Sequence, residues 1–289
     1  MKRAVVVVNR FWECDPVVAA LLNETVRAKK LGWPTTSNHP RVRNVGNPAV
    51  PRLTYAYPEC QVELWCLSDL LEGSSPNLQS STEEKAKVLA ALLTPSPPDL
   101  VIALGTAGYP SGFSNFNGCV VIGTNVFIHN GHPGGSNPDS NWNVGPFDAL
   151  LDSSLTRDEF DRLASFDWNA AQAALVKTPQ NPTSSAILAS HSHVSLGTVN
   201  VTNYSEYATK DLETVKAFGT PGLGFTASSL ETTHGLLRCL LSERFLFISG
   251  LTDRLGHFDD EVNVGQNLAA SSNMGVVLSH IIASLALVA

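Results

Sequence analysis

One wholly apolar segment, residues 245–248 (FLFI), constrains the fold more than any other part of the sequence. Runs of aromatic and branched residues bounded by turn residues are typical of strands buried on both faces, and in α/β proteins such strands form parallel sheets. A polar turn, residues 249–253, follows the segment. Because ligands bind beyond the carboxyl ends of strands in open parallel sheets, Asp253 is a candidate functional residue.

Segments typical of strands and helices alternate along the 289 residues. Apolar or alternating runs predict strands at residues 4–8, 52–57, 61–67, 99–104, 119–127 and 186–190. Capping residues and helical spacing predict helices at residues 16–22, 81–93, 156–163, 168–175 and 210–218, and one that begins near Glu231. With no repeat and no break in composition, this order predicts one α/β domain over residues 1–289: three layers, α/β/α, around a central mixed, largely parallel sheet.

Two segments without regular periodicity are candidates for a functional role, and the first of them fits an ordinary tight turn equally well. Residues 105–108 (GTAG) follow a buried strand and predict a small-residue turn, where backbone N–H groups approach a ligand closely. Residues 129–146 predict a long polar loop, and loops of this size in compact domains are more often functional than accidental.

Charge and cysteine content exclude several classes of partner. A net charge of -7 argues against nucleic acid or an anionic membrane as the main partner, since both need a basic surface.

The apolar run at the N-terminus is shorter than a signal peptide requires. Polar residues interrupt the apolar segment 274–289, so this segment is predicted to be a core helix. Five scattered cysteines without a C-x-x-C pair predict reduced buried thiols, a cytoplasmic protein and no metal site.

Four short motifs in order point to one family. They are residues 105–108 (GTAG), 189–190 (AS), 230–232 (LET, read as opening a helix) and 250–253 (GLTD). Together they resemble the nucleoside phosphorylase superfamily, and in particular its purine nucleoside phosphorylases and methylthioadenosine or adenosylhomocysteine nucleosidases. The resemblance extends from residue 1 to about residue 285 and implies a nucleoside phosphorylase-like α/β/α domain.

The resemblance assigns roles to two acidic residues. Glu231 corresponds to the glutamate that holds the ribose hydroxyls, and Leu230 stands where the family usually has methionine. Asp253 corresponds to the aspartate that acts on purine N7, and Thr252 before it fits the family pattern Ser-Asp or Thr-Asp. His234, one helical turn after Glu231, is expected to be a packed or capping residue.

Further substrate contacts follow from the same resemblance. The glycine-rich turn of the family is represented by Thr106, Ala107 and Gly108, and the sequence departs from it at Tyr109. The later strand supplies Ser190, followed by His193 and Val194. Val194 occupies the position of the family's base-stacking aromatic residue, so strong stacking on the base is not expected.

The N-terminal turn departs most from the phosphorylase pattern. Residues 14–16 (CDP) resemble the phosphorylase motif Gly-Asp-Pro, but the two positions of its phosphate-binding arginines hold Val18 and Ala103. Without those cations a phosphate dianion lacks its charge-assisted hydrogen bonds. Hydrolases of the family instead use an acid in this turn to activate water, and both Glu13 and Asp15 fit that role.

The expected activity is hydrolysis of the N-glycosidic bond of a purine nucleoside or a nucleoside-like compound, without a cofactor. Its transition state carries positive charge on the sugar and negative charge on the leaving base. A buried, protonated Asp253 would serve the base and Glu231 the sugar. Two alternatives stay open: a phosphorylase that recruits phosphate through Arg10, Arg41 or Arg43, and a non-catalytic nucleoside-binding protein. The resemblance also implies a homo-oligomer.

Overall fold

The computed structural model describes residues 2–30, 50–71, 82–93, 95–109, 115–129, 144–146, 149–182, 185–189, 196–201 and 226–288. Its strands are β1 (Lys2–Val8), β2 (Leu53–Ala56), β3 (Cys60–Cys66), β4 (Leu100–Tyr109), β5 (Val120–Gly123), β6 (Asn125–His129), β7 (Ala149–Leu151), β8 (Ile187–Ala189), β9 (Leu196–Val201), β10 (Thr226–Glu231) and β11 (Phe245–Arg254). Its helices are α1 (Phe11–Lys30), α2 (Leu67–Leu70), α3 (Thr82–Leu93), α4 (Arg157–Leu163), α5 (Trp168–Ala174), α6 (His234–Leu240), α7 (Phe258–Glu261) and α8 (Val264–Val288).

The strands form a branched mixed sheet. One path runs β2-β3-β1-β4-β10-β9-β6-β7, while β11 pairs with both β4 and β5, and β5 pairs with β8. Six of the ten strand pairings within the described residues are parallel. The branch lies at β4, which contacts β1 and β11 along its length and β10 at its end. The predicted mixed, largely parallel sheet is confirmed.

Helices cover both faces of this sheet. In β1, Val6 and Val8 face a core formed with α1, α4, α5 and α8, whereas Val5 and Val7 face a second core formed with α2, α3 and α6. Successive strand residues point to opposite faces, so a strand that is apolar throughout fills both cores. The three-layer α/β/α arrangement predicted from the apolar runs is therefore confirmed.

Helix α8 is long and apolar enough to cross a membrane by length and composition, but 72% of its most apolar window is buried inside the protein. It packs on α1 at close range. A Cβ atom at Gly275 would lie 2.8 Å from the Cβ atom of Ala20 and 2.8 Å from the carbonyl oxygen of Val17. The structure thus shows a core helix in this segment, as the interrupted apolar pattern predicts. The helix begins at Val264, ten residues before the predicted segment does.

Two strands continue where the sequence predicts turns. Strand β4 runs through residues 105–108 to Tyr109, and β11 runs through residues 249–253 to Arg254. The two strands stay paired in parallel to their ends, where Asp253 is opposite Gly108. Small residues in both segments allow this close pairing, which the turn prediction did not take into account.

Helix α1 begins at Phe11, five residues before the predicted start, so Pro16 lies inside the helix. The Glu13 carboxylate accepts a hydrogen bond from the backbone N–H of Arg10, the residue before the helix, at 2.8 Å. An acidic residue at the third helical position that bonds back in this way stabilises an early helix start.

Two further predictions are wrong in detail. Glu231 ends strand β10, and α6 begins only at His234. The single strand predicted at residues 119–127 is two strands, β5 and β6, because the chain passes at Thr124 from the neighbours β11 and β8 to the neighbours β9 and β7. The helix predicted at residues 210–218 and most of the loop at 129–146 lie outside the described residues.

Candidate active site

The end of β4 brings the two acids identified from the sequence to one place. Gly108 pairs with Leu230 of β10 on one side and with Asp253 of β11 on the other. Glu231 follows Leu230 directly, so Glu231 and Asp253 flank the same strand end. A Cβ atom at Gly108 would lie 3.2 Å from Cδ2 of Leu255 and 3.4 Å from Oδ2 of Asp253, so the Asp253 carboxyl group packs close to the backbone of β4.

Asp253 is held in a buried position, with 1% of its surface exposed. The Thr252 hydroxyl donates to Oδ1 of Asp253 at 2.6 Å and lies 3.3 Å from the carbonyl oxygen of Ala107. Nε of the neighbouring Arg254 donates to Oε1 of Glu261 at 2.6 Å. Arg254 therefore forms an ion pair with Glu261. The Asp253 carboxyl group is held by the hydrogen bond from Thr252.

Glu13 is buried and anchored to β4. Its Oε1 accepts from the Thr106 backbone N–H at 2.8 Å and from the Thr106 hydroxyl at 2.6 Å, while Oε2 accepts from Arg10 N–H. Burial raises the pKa of Glu13, and these hydrogen bonds oppose part of that rise. The arrangement places a buried carboxyl group against Thr106, near the end of β4.

Asp15, the second acid of the N-terminal turn, has different surroundings. Its side chain is 64% exposed and forms an ion pair with Arg52 at 3.2 Å. Arg52 in turn bonds Asp69 of α2 at 2.6 Å. The structure therefore brings Glu13, and not Asp15, into contact with Thr106 of β4.

Glu231 has one oxygen bound and one available. Its Oε2 accepts the backbone N–H groups of Thr233 and His234 at the start of α6, the second at 2.7 Å. Its Oε1 is buried and has no hydrogen-bond partner within the described ranges. Burial raises the pKa of Glu231 to about 8, although the two N–H groups and Lys85 act in the opposite direction. Within the described residues, Oε1 is thus a buried oxygen whose hydrogen-bonding capacity is unused.

His234 is fully buried behind Glu231. Its ring lies 5.5 Å from the ring of Phe247, centroid to centroid, and Nδ1 lies 3.7 Å from Oε1 of Glu231. Neither ring nitrogen has a hydrogen-bond partner in the described part of the chain. Burial lowers the pKa of His234 to about 3, so the ring is neutral at physiological pH.

Lys85 of α3 was not identified from the sequence. It is only 6% exposed, and it interacts electrostatically with Glu231, Glu13 and Arg10. The sequence does contain a signal, because Lys85 precedes Leu89 by one helical turn and so lies on the apolar face of α3. A charged residue within an apolar stripe indicates a buried charge.

Several predicted residues are not placed, and others face the core. Ser190, His193 and Val194 lie outside the described residues, as do Arg41 and Arg43. Ala103 is buried in β4, and Val18 packs against the core beneath α1. Across the described ranges, no group of three or more His, Cys, Asp or Glu side chains is arranged to hold a metal ion.

No protein-family model and no curated protein matches the sequence. Among solved structures, an MTA/SAH nucleosidase has a TM-score of 0.55 at 12% identity, over 98% of this chain and 95% of that one. The MTA/SAH nucleosidase of Colwellia psychrerythraea in complex with adenine has a TM-score of 0.54 at 15% identity, over 98% and 96%.

A phosphorylase is similar to the same degree. Purine nucleoside phosphorylase of Toxoplasma gondii in complex with immucillin-H has a TM-score of 0.55 at 10% identity, over 100% of this chain and 93% of that one. Identities this low carry the fold and leave the reaction open. The chain therefore has a nucleoside phosphorylase-like fold, which it shares with these nucleosidases and this phosphorylase.

Proposed function

We propose that this protein is an enzyme that hydrolyses the N-glycosidic bond of a purine nucleoside or a nucleoside-like compound. The observation that carries the proposal is the arrangement of three buried acids, Glu13, Glu231 and Asp253, around the end of β4. Each of them meets one requirement of the reaction: an activated water, a fixed sugar and a protonated leaving group.

Asp253 would act on the base. As the bond from C1′ of the sugar to the purine nitrogen breaks, its electron pair moves to the purine, and a protonated Asp253 donates its proton to N7. The Thr252 hydroxyl donates to Oδ1 and holds the carboxyl group in one orientation, which supports its role as a fixed donor to the base.

Glu231 and Glu13 would act on the sugar and the water. The available Oε1 of Glu231 accepts hydrogen bonds from sugar hydroxyls and so fixes C1′. An ionised Glu13 accepts a proton from the water whose oxygen forms the new bond to C1′. The products are the free base and the free sugar. After release, Glu13 gives to solvent the proton it took from water, and Asp253 takes up a proton from solvent, which restores the starting state of the site.

The charges around the site favour water over phosphate as the nucleophile. Two carboxyl groups, Glu13 and Glu231, face the cations Lys85 and Arg10. A phosphate dianion would have to approach Glu13, which must be ionised to act as the base, and like charges at short range in a buried site repel strongly. The positions where phosphorylases carry their arginines hold apolar side chains, Val18 and Ala103.

A test of phosphate dependence decides between the alternatives. The purified protein is incubated with adenosine, inosine, guanosine, 5′-methylthioadenosine, S-adenosylhomocysteine and futalosine, compounds of the kinds named for its structural neighbours. Hydrolysis predicts release of free base at the same rate with and without phosphate. Release that requires phosphate and yields a sugar 1-phosphate would identify a phosphorylase. Calorimetric binding without release would identify a non-catalytic protein.

A further inference from the structure

Strand β11 contains one extra residue just before Asp253. Leu251 is opposite Ala107 of β4 and Asp253 is opposite Gly108, so the register skips Thr252. Bulges of this kind are rare between parallel strands, and they are over-represented next to active sites, where they redirect a side chain. In a regular ladder Thr252 would be opposite Gly108. The position of the Asp253 carboxyl group therefore depends on the bulge.

A buried glutamine of α8 holds the extra residue. Nε2 of Gln266 donates to the carbonyl oxygen of Thr252 at 2.9 Å, and its Oε1 accepts from the backbone N–H of Gln180 at 3.3 Å. The Gln266 side chain is 0% exposed. An acceptor on one side and a donor on the other fix the orientation of the amide group, because a flipped amide would lose both bonds.

The place of Gln266 in the sequence favours a different use of its side chain. The side chain of Asn263, the residue before α8, accepts the backbone N–H of Gln266 at 2.9 Å. An asparagine three residues before a glutamine is the pattern of a capping box, in which the glutamine side chain bonds back to the start of its own helix. In this protein the side chain is directed to β11 and to Gln180, which indicates a role in holding the strand.

A carboxylate holds the chain on the other side of Asp253. Oε2 of Glu261 accepts the backbone N–H of Arg254 at 2.8 Å and Nδ2 of Asn117 at 3.2 Å, and Glu261 is 5% exposed. The Thr252 carbonyl belongs to the peptide group before the Cα atom of Asp253, and the Arg254 N–H belongs to the peptide group after it. Both peptide groups that determine the direction of the Asp253 side chain are thus bound by buried side chains.

We propose that Gln266 and Glu261 are positioning residues for Asp253: by holding the two peptide groups beside it, they set the direction of its carboxyl group. This inference rests on the proposed function, because it assumes that Asp253 donates a proton to the leaving base. Proton donation requires close alignment of donor and acceptor, and small displacements of a catalytic group lower the rate strongly.

Two substrates separate positioning from stability. Gln266→Met removes the N–H donor at similar length, so kcat for a purine nucleoside should fall about tenfold with KM within about twofold. Turnover of 4-nitrophenyl riboside, whose leaving group needs no proton, should be nearly unchanged. Gly275→Ala, which overpacks the same helix against α1, is the control and should keep the wild-type ratio of the two rates. A wild-type ratio in Gln266→Met would overturn the role of Gln266.

Two variants of Glu261 test the second bond. Glu261→Met removes the acceptor of the Arg254 N–H and should lower the ratio about tenfold. Glu261→Gln retains an oxygen that accepts this N–H, so its ratio should stay within about threefold of the wild type. Equal ratios in the two variants would show that the backbone hydrogen bond does not position Asp253.

Amide hydrogen exchange in the protein without substrate keeps this inference distinct from the proposed function. NMR should show the Arg254 N–H exchanging about tenfold faster, relative to the Val6 N–H of β1, in Gln266→Met than in the wild type. An unchanged relative rate overturns the inference even if the protein hydrolyses nucleosides. Selective acceleration in a protein that cleaves no nucleoside supports the bound peptide groups and rejects the proposed function.

Discussion

Glu13 and Asp15 are two residues apart on α1, yet their surroundings differ. Glu13 is buried against Thr106, whereas Asp15 is exposed and paired with Arg52. We expect Glu13→Gln to lower kcat by a factor of about 10² to 10⁴, the usual range for a general base, and Asp15→Asn to leave it nearly unchanged. Steady-state kinetics on both variants checks this. Equal losses in the two variants would contradict the assignment of Glu13 as the base.

Asp253 offers a test of the leaving group. Asp253→Asn keeps the size of the side chain but removes the donated proton, so turnover of a purine nucleoside should fall by about 10² to 10⁴. The loss should be much smaller on 4-nitrophenyl riboside, whose leaving group needs no proton. Circular dichroism controls for the fold. Near-normal turnover of the nucleoside would remove Asp253 from the catalytic role.

The buried His234 should make the free energy of unfolding depend on pH. Burial lowers the pKa of His234 to about 3, so below pH 6.5 the unfolded chain binds a proton that the folded protein excludes. The neutral ring therefore contributes to the free energy of unfolding above pH 6.5. This contribution is lost as the pH falls towards 3, and the loss between pH 6.5 and 5 is on the order of 2 kcal/mol.

The variant His234→Leu removes this proton linkage. Urea unfolding at pH 7 and pH 5 should show a smaller loss of unfolding free energy for His234→Leu than for the wild type. His257→Leu, which alters a partly exposed histidine, serves as the control and should follow the wild type. The same acid sensitivity in His234→Leu and in the wild type would rule out His234 as its source.

Sequence motifs located Glu231 and Asp253, because each stands beside a recognisable strand or helix boundary. They could not separate Glu13 from Asp15. That distinction depends on where α1 begins and on a contact with Thr106, which is 93 residues away in the chain. The burial of Lys85 is harder to predict, because charged residues near a helix start usually face solvent. It depends on how α3 packs against α6.

At the scale of elements, the strands were predictable and their ends were not. Apolar runs located the buried parts of β1, β4 and β11, since both faces of each strand contact a core. The predicted turns at residues 105–108 and 249–253 are strand because β4 and β11 continue to pair with each other. Local sequence favours a turn at such small residues, and tertiary pairing overrides it.

The contact between α1 and α8 gives a prediction about packing. A Cβ atom at Gly275 would approach Ala20 and the backbone of Val17 to 2.8 Å. Gly275→Ala should therefore lower the free energy of unfolding by about 1 to 3 kcal/mol, the usual cost of overpacking, despite the better helix propensity of alanine.

The control for this contact lies on the same helix. Gly265 is exposed near the start of α8, and Gly265→Ala should change stability by less than about 0.5 kcal/mol. Chemical denaturation of both variants measures the difference. A stable Gly275→Ala protein would show that the two helices do not pack as closely as the structure indicates.

For the whole molecule, the class of fold followed from the sequence and the branched sheet did not. Alternating strands and helices are enough to predict three layers. The order of the strands depends on pairings between distant segments, such as β1 with β4 and β4 with β11, which no local pattern encodes. The branch places Glu231 and Asp253 on two sides of one strand end. That residues 1–289 form one domain stays a prediction.

The central claim is that water attacks C1′ at this strand end, and isotope incorporation tests it most directly. The protein is incubated with a cleaved nucleoside in water enriched in oxygen-18, and the released sugar is trapped at once by reduction and examined by mass spectrometry. We predict one oxygen-18 atom at C1 of the sugar, free base in equal amount, and formation of both products slower by about 10² to 10⁴ with Glu13→Gln. Base release without labelled sugar, or only in the presence of phosphate, would contradict hydrolysis.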